Sequence, residues 1–228
     1  RHRVEAREHR REFGRRALPF WHSEGIDCMY TQTASGEANA VASILVAEGV
    51  AVEVLGLGEV ARYPEPAETE RTFEGNAFLK ASAAARETGL VAVADDSGLE
   101  VDELNGMPGV RSARWAGPAC DDEDNNQLLL AQLDGVPAER RTARFVCALA
   151  MVSPTGERRV WHGTMPGRIA EAPEGEHGFG YDPLFIPAGL AVSSAELTAE
   201  EKDSISHRGN AVRGFVAYLK QLAREGAA

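Results

Sequence analysis

The chain has 228 residues, of which 43% are hydrophobic and 26% are charged, and its formal net charge at pH 7 is -11. This composition is typical of a globular protein, and the negative charge argues against general binding to nucleic acid or to an anionic membrane. The three cysteines are far apart and form no CxxC pair, which favours a reducing, cytoplasmic environment over a disulfide framework or a zinc site.

The first part of the chain differs in composition from the rest. Residues 1–25 are rich in arginine and have little apolar periodicity, so we predict a disordered or extraneous leader. A single two-lobed domain is expected over residues 26–228. It is predicted to open with strands at residues 26–32 and 50–57 and a helix at residues 40–48, an order that is typical of α/β domains.

A helix and a strand are predicted next. Residues 73–88 are rich in alanine and precede Gly89, a pattern that favours a helix with a glycine C-cap. The apolar run at residues 90–94 predicts a strand buried on both faces, which would end at Asp95 and Asp96. Because ligands of open α/β sheets gather at the carboxyl ends of strands, we expect this acidic pair at a binding site.

The second half of the chain has equally clear signals. They predict a helix at residues 123–133, two strands joined by a tight turn at residues 142–152 and 158–169, a helix capped by Thr198 and Glu201, and an amphipathic helix at residues 210–224.

Two polar segments have both a chemical and a purely structural interpretation. Two carboxylates at Asp95 and Asp96 suit a hard cation such as Mg²⁺, but they could equally form an Asx-turn at a strand end. In GEHGFGYDP, Phe179 and Tyr181 could stack on a planar ring while Asp182 accepts a hydrogen bond from its edge. A glycine-rich turn with packed aromatic side chains is the alternative.

A third segment is basic. Lys202 precedes Ser206, His207, Arg208 and Gly209, and these side chains could bind phosphate or a base edge. The alternative is a solvated basic turn.

Four segments in this order carry a resemblance: TFEGNAFLKA, ADDSGLEVDELNGMPGVRSARWAG, FGYDPLF and LTAEEKDSISHRGNA. From about Val52 onwards the chain strongly resembles the inosine triphosphate pyrophosphatase family, which acts on non-canonical purine nucleoside triphosphates. The resemblance implies an α/β fold whose central mixed β-sheet forms two lobes around a nucleotide cleft. It also implies a homodimer that uses Mg²⁺ to hydrolyse dITP, ITP and XTP to the monophosphate and pyrophosphate, which cleanses the nucleotide pool.

The resemblance also implies roles for single residues. Asp96 would be the proton acceptor that activates water and a magnesium ligand, and Asp95 would be a second ligand or a support for the turn. The residues implied in substrate binding are Ser35, Lys80, Ser97, Phe179, Gly180, Tyr181, Asp182, Lys202, His207 and Arg208.

The sequence departs from the family at two places. The family's first loop has the form Ser/Thr-x-Asn-x-x-Lys, whereas Ser35 is followed here by Glu37 and Ala40 at the positions of the Asn and the Lys. Gly75 stands where the family commonly has a glutamate. Three hypotheses would each explain these departures: an altered N-terminal sequence, compensation by an arginine, or a weakened or non-catalytic nucleotide-binding homologue. A Maf-like pyrophosphatase is a further alternative for the function. We expect slower turnover than in a family member with an intact loop.

Overall fold

The computed structural model describes residues 28–32, 53–56, 60 and 63–226, and its elements are numbered within these ranges. A seven-stranded mixed sheet has the order β2-β1-β3-β5-β6-β7, and β4 also pairs with β3. The strands are β1 Cys28–Gln32, β2 Glu53–Leu55, β3 Val91–Val101, β4 Met107–Pro108, β5 Thr142–Val152, β6 Arg158–Ile169 and β7 Phe185–Pro187. The predicted leader at residues 1–25 and the predicted helix at residues 40–48 lie outside the described residues.

The helices that were predicted within the described residues are confirmed. They are α1 Phe73–Thr88, α2 Asp122–Gln132, α3 Ala199–Ile205 and α4 His207–Gly226. Helix α1 ends at Gly89, whose φ of 71° lies in the left-handed region that glycine adopts at a C-cap. The Thr198–Glu201 capping box is present, and α4 begins three residues before the predicted start. The strands predicted at residues 142–152 and 158–169 have the expected bounds.

The predicted end of β3 at the acidic pair is wrong. The strand continues through Asp95 and Asp96 to Val101, because β5 pairs antiparallel with it over its whole length, from Ala92 to Val101. Two carboxylates inside a strand are tolerated here because each has a charged partner, described below.

The other edge of β3 has fewer strand partners. The parallel partner β1 stops opposite Ala94, and β4 pairs only with Glu100 and Val101. Within the described residues, the edge of β3 from Asp95 to Leu99 therefore has no strand partner on this side. The site accordingly lies beyond the carboxyl end of β1, whereas we expected it at the end of β3.

Three apolar clusters fix the sheet between the helices. Val91 and Val93 pack with α4 on one face, whereas Ala92 and Ala94 pack with α1 on the other. Farther along β3, Leu99 belongs to a third cluster with residues of α2, β6 and β7. The long strands thus reach from the first two clusters into the third, and the expected α/β fold with a central mixed sheet is confirmed. Among the described residues, no helix combines the length and apolar character needed to cross a bilayer.

Candidate active site

Successive side chains of β3 point to opposite faces of the sheet, so Asp95 and Asp96 lie in different surroundings. Asp96 faces α1, on the side of Ala92 and Ala94. Asp95 faces α4, and Ser97 donates a hydrogen bond of 3.0 Å to its Oδ2 atom. The two adjacent carboxylates therefore do not form one acidic pair.

Helix α1 supplies two of the partners of Asp96. The Nζ atom of Lys80 lies 2.9 Å from Oδ1 of Asp96, and Asn76 Nδ2 donates to Oδ2 at 3.1 Å. Asn76 and Lys80 are four residues apart on α1, so both project from the same face of the helix. The alanines around them allow α1 to lie close against β3, and both polar side chains are buried.

Glu68 joins the same group from the segment before α1. Its Oε1 atom accepts from Lys80 Nζ at 3.2 Å, and its Oε2 atom accepts from Arg114 at 2.9 Å. Glu68 and Arg114 also line an open cleft together with Glu65 and Pro66. We refer to Asp96, Lys80, Asn76, Glu68 and Arg114 as the carboxylate cluster.

The charges of this cluster influence one another. Burial raises the pKa of Asp96 to about 6, and the negative charge of Glu68 adds to this effect, whereas Lys80 and Asn76 oppose it. Burial alone would lower the pKa of Lys80, but the neighbouring Asp96 raises it above its ordinary value. Lys80 therefore remains charged at neutral pH, while Asp96 can exchange a proton near neutral pH.

The departure at Gly75 has a structural reason. A Cβ atom at this position would lie 2.6 Å from Cβ of Glu70 and 2.9 Å from its Cγ. The side chain of Glu70 therefore occupies the space that a larger residue at position 75 would need.

The opposite face of β3 carries a separate ion pair. Arg208 Nε lies 3.1 Å from Oδ2 of Asp95. Burial alone would raise the pKa of Asp95, but Arg208, and to a smaller extent Lys80, hold it below its ordinary range. Asp95 is thus a permanent negative charge that anchors Arg208.

His207 lies beside this ion pair. Its ring stacks on Phe145 with 5.0 Å between the ring centroids and 15° between the planes. Burial lowers the pKa of His207 to about 3, and the charge of Arg208 contributes, so the ring is neutral. Its buried Nδ1 atom has no hydrogen-bond partner among the described residues.

Residues 179–182, which we call the base loop, form a third group. Phe179 is 65% exposed, whereas Tyr181 is buried and donates from its hydroxyl to Ser112 O at 2.9 Å. Asp182 Oδ2 accepts from Phe179 N at 2.9 Å and forms an ion pair with Lys202. The Lys202 Nζ atom lies 4.9 Å from the centroid of the Phe179 ring. An exposed aromatic face thus lies beside a cation.

The predicted site residues fall into three neighbouring groups. Lys80 lies with Asp96, Lys202 lies with the base loop, and the third group contains Asp95, Ser97, His207 and Arg208. Ser35 lies outside the described residues.

Sequence reasoning missed Glu68, Asn76 and Arg114. The i, i+4 spacing of Asn76 and Lys80 on the predicted helix is a usable signal for Asn76. No spacing pointed to Glu68 or Arg114. In the part of the chain that the structure describes, no three His, Cys, Asp or Glu side chains are grouped so that they could hold a metal ion.

Comparisons with known proteins agree on one family. The profile described as the Ham1 family matches residues 34–218. A protein named dITP/XTP pyrophosphatase from Frankia alni is 56% identical over 186 residues, which cover 78% of this chain and 90% of that protein. A protein of the same name from Cutibacterium acnes is 58% identical over 167 residues, covering 72% and 82% respectively. The solved Staphylococcus aureus Ham1 protein superposes with a TM-score of 0.78 at 40% identity, covering 86% of this chain and 99% of that one.

Proposed function

The chain belongs to the Ham1 family, and from this membership and the site geometry we propose that it hydrolyses dITP, ITP and XTP to the monophosphate and pyrophosphate. The observation that carries the proposal is the position of Asp96, a buried carboxyl group of β3 that accepts hydrogen bonds from Lys80 and Asn76. A Maf-like pyrophosphatase and a non-catalytic nucleotide-binding protein find no support in the comparisons.

Asp96 is the proton acceptor in the proposed reaction. At neutral pH it is largely ionised, and a base whose pKa lies near the working pH transfers protons efficiently. It takes a proton from a water molecule as the water oxygen attacks the α-phosphorus. The bond from the α-phosphorus to the bridging oxygen breaks, and pyrophosphate leaves.

We propose that the carboxylate cluster holds Mg²⁺ through two carboxylates, because this ion is often bound by one or two carboxylates together with substrate phosphates and does not need the three-residue group that the described residues lack. Asp96 and Glu68 both contact the Lys80 ammonium, so their oxygens already converge on one cation, and carboxylate oxygens are ligands that Mg²⁺ prefers. The two carboxylates cancel the charges of Lys80 and Arg114, which leaves no surplus positive charge for a triphosphate. Asp96 and Glu68 would hold the ion, which supplies that charge when bound. Asp95, the other ligand expected from the sequence, faces away and is balanced by Arg208.

Between β1 and β4 the edge of β3 has no strand partner among the described residues, and we propose that one ligand reaches both faces of the strand there. Lys80 and Arg114 present N–H donors on one face, where Asp96 and Glu68 balance their charges. Ser97, His207 and Arg208 supply a hydroxyl group, a neutral ring and a guanidinium group on the other. In our proposal the triphosphate lies along this edge and contacts both sets.

The base loop and Lys202 recognise the base. The exposed face of Phe179 provides a stacking surface, and Lys202 beside it is a pure hydrogen-bond donor. A 6-oxo group accepts from such a donor, whereas the 6-amino group of adenine cannot. An unpaired buried polar group costs about 1 to 3 kcal/mol, which would favour 6-oxo purines over adenine. Guanine also has a 6-oxo group, so its exclusion requires that its 2-amino group finds no partner.

Three further features complete the proposal: the dimer follows the family resemblance, the cytoplasmic location follows the cysteine pattern, and the slower turnover follows the departure from the family's first loop. The protein forms a homodimer in the cytoplasm, and its departure at Glu37 and Ala40 slows turnover because neither side chain can replace the amide and ammonium groups that bind phosphate. The phosphate loop at residues 34–40 lies outside the described residues.

The proposal is tested by measuring pyrophosphate release from dITP, ITP, XTP, ATP, GTP and UTP, with and without Mg²⁺. We expect Mg²⁺-dependent release from the first three, at a rate below that of a relative with the intact Asn-x-x-Lys loop. Preference for UTP would refute the purine assignment, and equal rates would refute the effect of the loop.

A further inference from the structure

The first two turns of α2 hold the backbone of the base loop. The backbone N–H of Gly180 donates to Asp122 Oδ2 at 2.7 Å, and its carbonyl oxygen accepts from Asn126 Nδ2 at 2.9 Å. Asp122 and Asn126 are four residues apart and therefore lie on the same helix face. Gly180 has a φ of 61°, which glycine adopts readily. Both polar groups of this residue are thus bound by one helix.

The same part of α2 holds a second loop of the site. Asn125 Oδ1 accepts from Ala116 N at 2.7 Å, and its Nδ2 donates to Ala113 O at 3.1 Å. These residues flank Arg114, whose guanidinium group belongs to the carboxylate cluster. Helix α2 therefore fixes the base loop relative to the loop that carries Arg114.

The two contacts of Gly180 differ in burial. Asn126 is buried, whereas Asp122 is exposed, as are Glu123 and Gln127, which bond to each other at 3.1 Å. A buried amide that loses its partner costs more than an exposed group, so Asn126 holds the backbone of Gly180 more firmly than Asp122 does, and what sets Asp122 apart from Glu123 is its bond to Gly180 N. Gly180 lies directly after the exposed Phe179, so its position sets the orientation of that ring.

From these contacts we propose that Asp122 and Asn126 are positioning residues that set the selectivity for 6-oxo over 6-amino purines. The inference rests on the proposed function. Selectivity depends on where Lys202 and the Phe179 ring lie relative to the base edge, and hydrogen-bond discrimination is lost when a donor moves by a fraction of an ångström. Asp96, Lys80 and Glu68 are held by contacts with one another, so the rate of the chemical step does not depend on the bonds of Asp122 and Asn126 to Gly180, which we call the clamp.

The test compares Asp122→Ala and Asn126→Ala with Glu123→Ala, a matched control on the same helix turn. For each, kcat and KM are measured with ITP and ATP. We expect the ITP/ATP ratio of kcat/KM to fall about fivefold in the first two variants, mainly through a higher KM for ITP, with kcat within about twofold. Asp122→Asn, which keeps an acceptor oxygen, should restore the ratio, and Glu123→Ala should leave it unchanged.

Two further measurements keep the test decisive. Hydrogen exchange of the Gly180 amide should accelerate in Asp122→Ala but not in the control, which checks the clamp without any turnover. If the wild-type protein does not hydrolyse ITP, the proposed function is refuted. The inference can still be tested then, because calorimetry gives the ratio of the affinities for IMP and AMP in place of the ratio of kcat/KM. Three outcomes would overturn the inference. The ITP/ATP ratio could stay unchanged in Asp122→Ala, it could fall equally in the control Glu123→Ala, or the wild-type protein could bind neither nucleotide.

Discussion

Asp95 and Asp96 are consecutive residues of one strand with nearly the same burial, yet the pKa values of their carboxyl groups shift in opposite directions. Each lies about 3 Å from a cation, 3.1 Å for Arg208 at Asp95 and 2.9 Å for Lys80 at Asp96. The faces differ in their other charges. Glu68 is a second carboxylate in contact with the Lys80 ammonium group that pairs with Asp96, whereas Ser97 donates a hydrogen bond to Asp95.

The comparison shows how one strand can hold a structural carboxylate next to a reactive one. A carboxylate that is fully compensated stays ionised and fixes its partner. A buried carboxylate that shares its cation with a second acid is compensated less, and burial then raises its pKa towards the pH at which a base must work. Because β3 alternates its side chains, two adjacent positions can serve these two purposes without mutual interference.

The largest effect should separate the two residues in turnover. Asp96→Asn removes the proton acceptor and should lower kcat with dITP about a thousandfold. Asp95→Asn loosens Arg208 and Ser97 and should lower kcat/KM only about tenfold, mainly through KM. Steady-state pyrophosphate release at fixed Mg²⁺ measures both, and circular dichroism checks the fold. Similar losses of kcat in both variants would contradict this division of roles.

The same two variants should differ in stability at pH 7. Asp95→Asn removes the negative partner of the partly buried Arg208 and should lower the free energy of unfolding by about 2 kcal/mol. Asp96→Asn removes a charge that the folded protein accommodates at a cost, so it should leave stability unchanged or raise it by about 1 kcal/mol. Urea unfolding measures the difference. A loss in Asp96→Asn as large as that in Asp95→Asn would show that the faces are energetically alike.

Local signals predicted most of the fold but could not place the acidic pair. The hairpin of β5 and β6 and helix α1 have strong signals within a few residues, namely a turn sequence and a closing glycine. The end of β3 was misplaced because pairing with β5, some fifty residues away, carries the strand past Asp95 and Asp96. Such long-range pairing overrides the local preference of charged residues against strands.

The site was predictable to the extent that its residues lie in recognisable motifs. Lys80 and Asp96 were identified through the family resemblance, and the structure places them 2.9 Å apart. Glu68 lies in a Pro-rich segment without periodicity, and only its contact with Lys80 reveals it. Alternation along β3 also indicated that the two carboxylates need not share one role, as their different partners show.

The smallest expected effect concerns the titration of the two carboxyl groups, measured by NMR in metal-free protein. Asp96 should titrate with a midpoint of about 6, above its ordinary value of 3.8, and Asp95 should stay ionised over the same range. Between these values the folded protein binds the proton at Asp96 more tightly than the unfolded chain does. The contribution of Asp96 to stability therefore falls as pH rises from about 4 to 6, whereas that of Asp95 is lost only in more acidic solution.

Glu68→Gln tests the physical cause of this difference. Without the second carboxylate, Lys80 interacts with Asp96 alone, so the midpoint of Asp96 should fall by about one pH unit. Asp95, on the far face of β3, should not respond. Glu65→Gln is the matched control, since Glu65 is an acidic side chain of the same cleft, whereas the ion pairs of Lys80 within the described residues are with Glu68 and Asp96. If the titration midpoint of Asp96 is unchanged or higher in Glu68→Gln, burial alone raises the pKa of Asp96, and the sharing of the Lys80 ammonium group with Glu68 has no effect on it.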